Sequence, residues 1–248
     1  MKVGRTMRDY RIETEKRIKF IRKQLLDAGV NGVVFGNSGG KDSALVGILC
    51  KLACADTVGI IMPCTSTCNY NEDMADALMI SKLFKIEKRM VDLTKTADAL
   101  KSALKDSTTL TESSEINIAP RLRMTALYAV AASEGRLVAG TGNKSEQYMG
   151  YFTKWGDGAC DFNPIADLTV TEIYQFLTYL DVPKRIIDKA PSAGLFSGQT
   201  DEGDMGVTYK AIDEYLQSGK CAPKDMETIA NYHRISEHKR KPPKVYEG

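Results

Sequence analysis

Gly32-Val33-Val34-Phe35-Gly36-Asn37-Ser38-Gly39-Gly40-Lys41-Asp42-Ser43 is the stretch on which the fold turns. Gly32 to Phe35 is short, apolar and β-branched, the pattern of a buried strand. A glycine-rich turn follows, and Ser43–Cys54 then takes up the spacing of a helix. Glycines let a backbone turn tightly and bring its N–H groups close to an anion, and the start of a helix adds partial positive charge. Ser38 and Ser43 can donate hydroxyls and Lys41 adds a point charge, so Gly36 to Ser43 reads as a phosphate cradle. Asp42 is an anion inside that cradle. It makes physical sense only with a cation beside it, and so argues for a bound divalent metal.

Working outward, Arg5–Ala28 places Thr14, Ile18, Ile21 and Leu25 at helical spacing, with Gly29 as a natural stop. Thr57–Met62 reads as a second strand ended by Pro63, Asn69–Phe84 as a helix, and Ile86–Val91 as a third strand. Leu137-Val138-Ala139-Gly140 is a fourth strand, again followed by a polar loop. Strands alternating with helices imply an α/β fold with a doubly wound parallel sheet. In such sheets ligands bind at the carboxyl ends of the strands, where the order reverses. From about Thr169 the pattern turns helical, at Thr169–Leu180, Thr208–Gln217 and Asp225–Ile235. No repeat or linker interrupts the chain, so a single domain is expected over residues 1–248, with a short basic tail.

The 248 residues are 43% hydrophobic and 27% charged, enough for one substantial core. A net charge of +2 favours neither nucleic acid nor a membrane surface as partner, and no apolar run is long enough to span a bilayer. Met1 to Arg22 is charged throughout and lacks the apolar stretch of a signal peptide, so a cytoplasmic protein is expected. The six cysteines fit a reducing compartment. Cys50/Cys54 and Cys64/Cys68 are spaced more widely than zinc ligands, and the favoured reading is cysteine as a small buried hydrophobe.

The loop is not a Walker A motif, because Asp42 rather than serine or threonine follows Lys41. Ser38-Gly39-Gly40-Lys41-Asp42-Ser43 instead resembles the PP-loop of the ATP pyrophosphatases, which cleave ATP between its α and β phosphates. The resemblance implies a Rossmann-like adenine nucleotide hydrolase fold, a loop that holds the departing pyrophosphate, and Mg²⁺ at Asp42.

A second set of stretches narrows the resemblance to the NAD synthetases. They are Val138 to Glu146, Gly150 to Pro164, Asn117-Ile118-Ala119-Pro120-Arg121-Leu122-Arg123-Met124, Lys189-Ala190-Pro191-Ser192, Gly206-Val207-Thr208-Tyr209 and Glu237-His238-Lys239-Arg240. Matching stretches run from about Val33 to Pro243 in the family's order. This resemblance implies a ligase that uses ATP, Mg²⁺ and ammonia to convert deamido-NAD into NAD, releasing AMP and pyrophosphate through an adenylated intermediate. It implies ATP contacts from Gly36, Asn37, Ser38, Gly39, Gly40, Lys41, Asp42, Ser43, Thr141 and Ser192, and a metal shared by Asp42 and Glu146. Deamido-NAD would meet Arg121, Lys154, Asp161, His238 and Lys239, cations and an acid suited to a dinucleotide with a free carboxylate. Family members are homodimers, and the same is expected here.

Some assignments have a plainer competitor. Glu146 taken alone reads as a helix-start acid stabilised by the dipole, and the PP-loop beside it is what favours the metal. Asp157, between Gly156 and Gly158, is a candidate catalytic group that binds ammonium and accepts its proton, or a turn residue. Arg121 and Arg123 are two apart on a helix and cannot share a face; the family position favours Arg121, and spacing leaves Arg123 open. His238 sits in a charged run before Pro242, either an ordered contact or a solvated tail.

The chain also departs from the family. Val170 follows Leu168-Thr169 where a lysine that contacts ATP is common, and Lys41 is one substitute for that charge. Ser192 replaces threonine, and Pro63 to Cys68 differs from the usual sequence after the second strand. Part of Ala190–Asp204 is expected to close as a lid over a hydrolysable acyl-adenylate. The synthetase pattern starts within about thirty residues, too few for an attached amidase domain, so free ammonia is the expected donor. The competing functions are another PP-loop adenylating enzyme, GMP synthetase-like or tRNA-thiolating, and a nucleotide-binding regulator without catalysis.

Overall fold

The computed structural model describes residues 8–64, 70–189 and 200–246. The chain enters through α1 (Tyr10–Ala28), capped by the Asp9 carboxylate at its start and stopped by Gly29 at φ 66°. Four parallel strands follow, β1 (Gly32–Gly36), β2 (Thr57–Ile61), β3 (Glu87–Met90) and β4 (Arg136–Val138), in the spatial order β3-β2-β1-β4. α2 (Lys41–Ala53) and α3 (Tyr70–Leu83) carry the chain outward from β1 to β2 and β3. α4 (Thr94–Leu104), α5 (Glu112–Ile116) and α6 (Ile118–Glu134) then return it to β4 on the far side of β1. The direction of winding therefore reverses between β1 and β4. Their carboxyl ends, at Gly36 and Val138, open the crevice where sheets of this kind bind ligands.

The sheet is covered on both faces, which explains the unbroken apolar character of β1 and β2. Val33 and Phe35 point into one core with Leu45, Leu49, Ile173 and Phe176, while Val34 points into the other with Val58, Ile60 and Leu127. The alternation is that of a pleated strand between two helical layers. β3 is different: it is an edge strand, and only Arg89 of its four residues is even partly buried. That is why its sequence shows little apolar patterning.

Beyond β4 lie α7 (Lys144–Met149), α8 (Val170–Tyr179), α9 (Lys184–Ile187), α10 (Asp201–Met205), α11 (Tyr209–Ser218), α12 (Pro223–Ile235) and α13 (Glu237–Arg240). Met149, Val170, Met205, Tyr209, Ile212 and Ile229 gather these helices around a third apolar cluster. α1 is fastened to the same region by ions. Arg17 donates to both Asp167 carboxylate oxygens at 2.7 and 3.0 Å, and Arg8 to Glu172 at 2.8 Å.

α2 begins at Lys41, earlier than the Ser43 start expected from sequence, because Gly40 occupies the N-cap with its backbone alone. Lys41 and Asp42 thus belong to the helix's first turn. The fourth strand ends at Val138, and Ala139 continues only as a single bridge to Phe162. Cys50, Cys54, Cys160 and Cys221 are free thiols, and Cys50 and Cys64 are buried. Cys68 and Ser192, and the part of the expected lid from Ala190 to Gln199, lie outside the described residues. No helix among the described residues is long and apolar enough to cross a membrane.

Candidate active site

The loop leaves the sheet at Asn37, whose backbone N–H makes the last ladder bond, to Ile60 O at 2.8 Å. Asn37 is buried, and its side-chain amide donates to Ala77 O at 3.2 Å and Ser81 Oγ at 3.1 Å, tying the loop to α3. Gly39 sits at φ 77°, and a Cβ there would lie 2.1 Å from the carbonyl oxygen of Asp73. Only glycine fits such an approach. Ser38 Oγ and Ser43 Oγ lie 3.1 Å apart across the turn, and Ser43 also donates to Gly40 O at 3.0 Å. The amino end of α2 points over this turn, which is the arrangement that receives phosphate oxygens.

Facing it is the loop after β4. Asn143 caps α7 by accepting from Glu146 N at 2.9 Å, and its own backbone N–H donates to Glu146 Oε2 at 3.0 Å. The same Asn143 side chain donates to Asp42 Oδ1 at 3.1 Å. One residue therefore joins the two candidate metal ligands. Lys41 is only 6% exposed, with Nζ 3.3 Å from Asp42 Oδ2. Burial works against its ammonium, but the charges of Asp42 and Glu146 outweigh this and hold its pKa above the ordinary lysine value. Glu146 is pushed well above the ordinary carboxylate range, first by burial deep in the cleft and then by Asp42. Two carboxylates forced together in this way suit a divalent cation. Among the described residues no group of three or more metal-binding side chains converges. A cation here would depend on phosphates and water for its other ligands, as Mg²⁺ usually does.

Val170, which stands where the family commonly has lysine, is 2% exposed and packed among Met149, Met205 and Tyr209. The ammonium near this face of α8 is that of Lys41, 5.8 Å from the Tyr174 ring centre and 5.9 Å from that of Tyr209.

Both loops open on one cavity of about 1280 Å³. Gly36, Asn37, Ser38, Gly40, Lys41, Asp42, Ser43, Thr141, Glu146, Asp157, His238 and Lys239 all line it. Asp157 Oδ1 accepts from Thr153 N at 2.9 Å, the bond of a turn residue, while the side chain stays open to the cavity. Protein packed around that recess raises its pKa, and Lys239 and Arg123 only partly offset the effect. Lys239 donates to Gly150 O and Phe152 O, both at 2.8 Å, so α13 pins the segment that carries Asp157. Arg240 reinforces the pin through Tyr148 O at 3.2 Å and Ser236 Oγ at 2.7 Å.

Arg121, Lys154 and Asp161 lie outside the cavity lining. Arg121 is exposed and donates to Lys154 O at 3.3 Å, and Lys154 Nζ reaches His238 O at 2.8 Å beside Trp155. Asp161 accepts from Val138 N at 2.7 Å and from the Tyr128 hydroxyl at 3.1 Å, bracing the end of β4. Asp73 and Lys189 of the cavity lining, and Asn143 buried behind it, were given no role from sequence. Lys189 Nζ bonds Asp73 Oδ1 at 2.5 Å and Asp76 Oδ2 at 2.7 Å. For Asn143 a signal existed, since Asn143-Lys144-Ser145-Glu146 is a capping-box pattern.

A glycine-rich loop at the switch point of a parallel sheet, carrying Asp42 and faced by Glu146 from the segment after β4, defines an α/β nucleotide-binding protein of the PP-loop fold. The NAD synthase family model matches residues 13–243, and the chain belongs to that family. It is 46% identical to the NH(3)-dependent NAD(+) synthetase of Carboxydothermus hydrogenoformans over 94% of this chain and 96% of that one. Among solved structures it resembles the NMN synthetase of Francisella tularensis, with TM-score 0.91 and 37% identity over 97% of this chain and 100% of that one. It also resembles the NH3-dependent NAD synthetase of Campylobacter jejuni, solved with nitrate, with TM-score 0.79 and 33% identity over 97% and 100%.

Proposed function

We propose that this chain is an ammonia-dependent NAD synthetase, a ligase that forms the amide of NAD from deamido-NAD, ATP and ammonia. The observation that carries the reading is the Asn143 bridge, which sets Asp42 and Glu146 together beside the phosphate cradle. The cavity of about 1280 Å³ exceeds what one drug-sized ligand needs and has room for two nucleotides.

In the first step an oxygen of the nicotinate carboxylate attacks the α-phosphorus, and the bond to the bridging oxygen of the β-phosphate breaks. Loop amides from Gly36 to Ser43, the amino end of α2 and Lys41 receive the leaving pyrophosphate. Mg²⁺, held by Asp42 and Glu146, would supply further charge neutralisation. Ammonia then attacks the acyl carbon of the adenylated intermediate and AMP leaves. Asp157, open to the cavity and with a raised pKa, accepts the proton. No enzyme nucleophile is required, so the protein contributes position and charge.

Thr141 and Ser192 complete the proposed ATP contacts. His238 and Lys239 face the dinucleotide from the same chain. Arg121, Lys154 and Asp161 would serve it from outside the cavity, in a homodimer whose contact includes Trp155, 60% exposed beside Lys154. The whole chain would act as one cytoplasmic synthetase domain, its free thiols fitting a reducing compartment. Sedimentation of the pure protein tests the dimer.

The deciding experiment mixes the protein with ATP, Mg²⁺, deamido-NAD and ammonium. NAD, AMP and pyrophosphate are expected in equal amounts, and none from Asp42→Ala. A folded protein without turnover would sink the reading. The closer overlay on the Francisella tularensis NMN synthetase, TM-score 0.91 against 0.79, favours one second reading, in which the acceptor is the mononucleotide acid. Offering both acceptors in the same assay separates them.

A further inference from the structure

The two arginines at the start of α6 face different surroundings. Arg121 is exposed and bonded to Lys154 O. Arg123 lines the cavity, its Nε donating to Met62 O at 3.0 Å at the carboxyl end of β2. That one bond fixes the guanidinium against the sheet. Among the described residues the terminal nitrogens of Arg123 make no other hydrogen bond. The titratable groups that face it are the Cys64 thiol and the carboxylates Asp157 and Asp73. Burial pulls its pKa down, so this cation sits in the cleft without full compensation.

The other cations of the cavity are engaged differently. Lys41 lies on Asp42, Lys189 bonds Asp73 and Asp76, and Lys239 bonds two carbonyls. Lys41 serves the phosphate cradle; Arg123 stands on the wall shared with Asn117, Pro120 and Asp157. A reaction that joins a carboxylate to a phosphate brings two anions together. It therefore needs a cation on the acceptor side as well as on the phosphate side. A guanidinium offers a planar fork matched to a carboxylate.

We propose that Arg123 is the residue that recognises the acceptor carboxylate, pairing with it on the side where Asp157 handles ammonia. This rests on the amidation reading above. It makes Arg123 a determinant of acid over amide. Once the amide has formed, the charge that Arg123 pairs with is gone, and the product is released more easily than the substrate.

The test measures binding of deamido-NAD, NAD and MgATP by calorimetry to the full chain, Arg123→Gln and Arg123→Lys. The wild-type chain is expected to hold the acid more tightly than the amide. Arg123→Gln should lose about 10- to 100-fold on the acid and little on NAD or MgATP. Arg123→Lys should recover part of the loss. If Arg123→Gln does not fold, Arg123→Lys alone decides, by a reduced preference for acid over amide. Equal losses on acid and amide, a loss confined to MgATP, or unchanged binding would each overturn the proposal. A wild-type chain that neither binds nor turns over deamido-NAD would instead overturn the reading of function, a result visible without any variant.

Discussion

Asn143 reaches from the loop after β4 to Asp42 on α2, its side-chain amide 3.1 Å from Asp42 Oδ1. Because the same side chain caps α7, its oxygen sets the start of the helix that carries Glu146 while its nitrogen orients Asp42. Helix capping and the geometry of the proposed metal site are therefore one constraint.

That coupling separates two substitutions. Asn143→Ala removes the cap and the bridge, and should lower stability by about 1 kcal/mol and raise the Mg²⁺ concentration needed for half-maximal turnover. Asn143→Ser keeps a good capping oxygen but is too short to hold Asp42. It should melt near the wild-type temperature yet share the raised Mg²⁺ demand. A Mg²⁺ titration of pyrophosphate release, run beside thermal unfolding, checks both; normal Mg²⁺ demand in Asn143→Ser would refute the bridge.

Lys41→Met tests the ammonium placed between two carboxylates. Without it Asp42 and Glu146 lose their nearest positive charge, and the phosphate side of the cavity loses its buried cation. Turnover at limiting ATP should fall on the order of 100-fold, the scale of one lost transition-state contact. Initial rates at varied ATP measure this. A change below a few-fold would mean that Lys41 does not supply the charge missing at Val170.

The stretch that opens the chain's first strand and helix was legible because its residues do one job each. Apolar β-branched residues build β1, and glycines build the turn. What the sequence left open has physical causes. β3 is an exposed edge, so Glu87 to Met90 carries no apolar stripe. α4 and α5 escaped notice because they are short or marginal: Ala97 is the one buried residue of α4, and α5 buries none. Spacing separated Arg121 from Arg123 but could not tell which side of α6 faces the cavity. Asp161 shows the same limit: a motif gives a residue's position in the chain, while its carboxylate turns to Val138 N and Tyr128.

Gly39→Ala should be among the most damaging single changes in the loop. The new Cβ would fall 2.1 Å from the Asp73 carbonyl oxygen, and the residue sits at φ 77°. Backbone must move, at a cost of about 1–3 kcal/mol for the conformation alone. Gly40→Ala is the control, since its Cβ would lie 3.3 Å from the Ser38 hydroxyl, which can rotate away. Urea unfolding and ATP binding should both suffer in the first variant and only mildly in the second. Equal behaviour of the two would mean that the loop is not held against α3 as described.

Asp157 decides between a turn residue and a proton acceptor. Its carboxyl is raised above the ordinary value, chiefly by the protein packed around the recess into which the side chain opens. A raised carboxyl pKa means that the folded state binds the proton more tightly than the unfolded one. Its stabilising contribution is therefore complete at acid pH and is lost as pH rises through the folded-state value. Asp157→Asn keeps an oxygen for Thr153 N–H and removes the charge, so the fold should be no less stable at neutral pH. A turn residue would tolerate that exchange with full activity. A proton acceptor would not. NAD formation should fall by about 100-fold or more, while pyrophosphate release continues as water hydrolyses the stranded adenylate. In the wild-type chain the rate of amide formation should climb with pH as Asp157 ionises, at a pH shifted upward from the ordinary aspartate value, and that limb should vanish in the variant. Following NAD and pyrophosphate separately across pH distinguishes the two roles; parallel yields of both products from Asp157→Asn would leave Asp157 as a turn residue only.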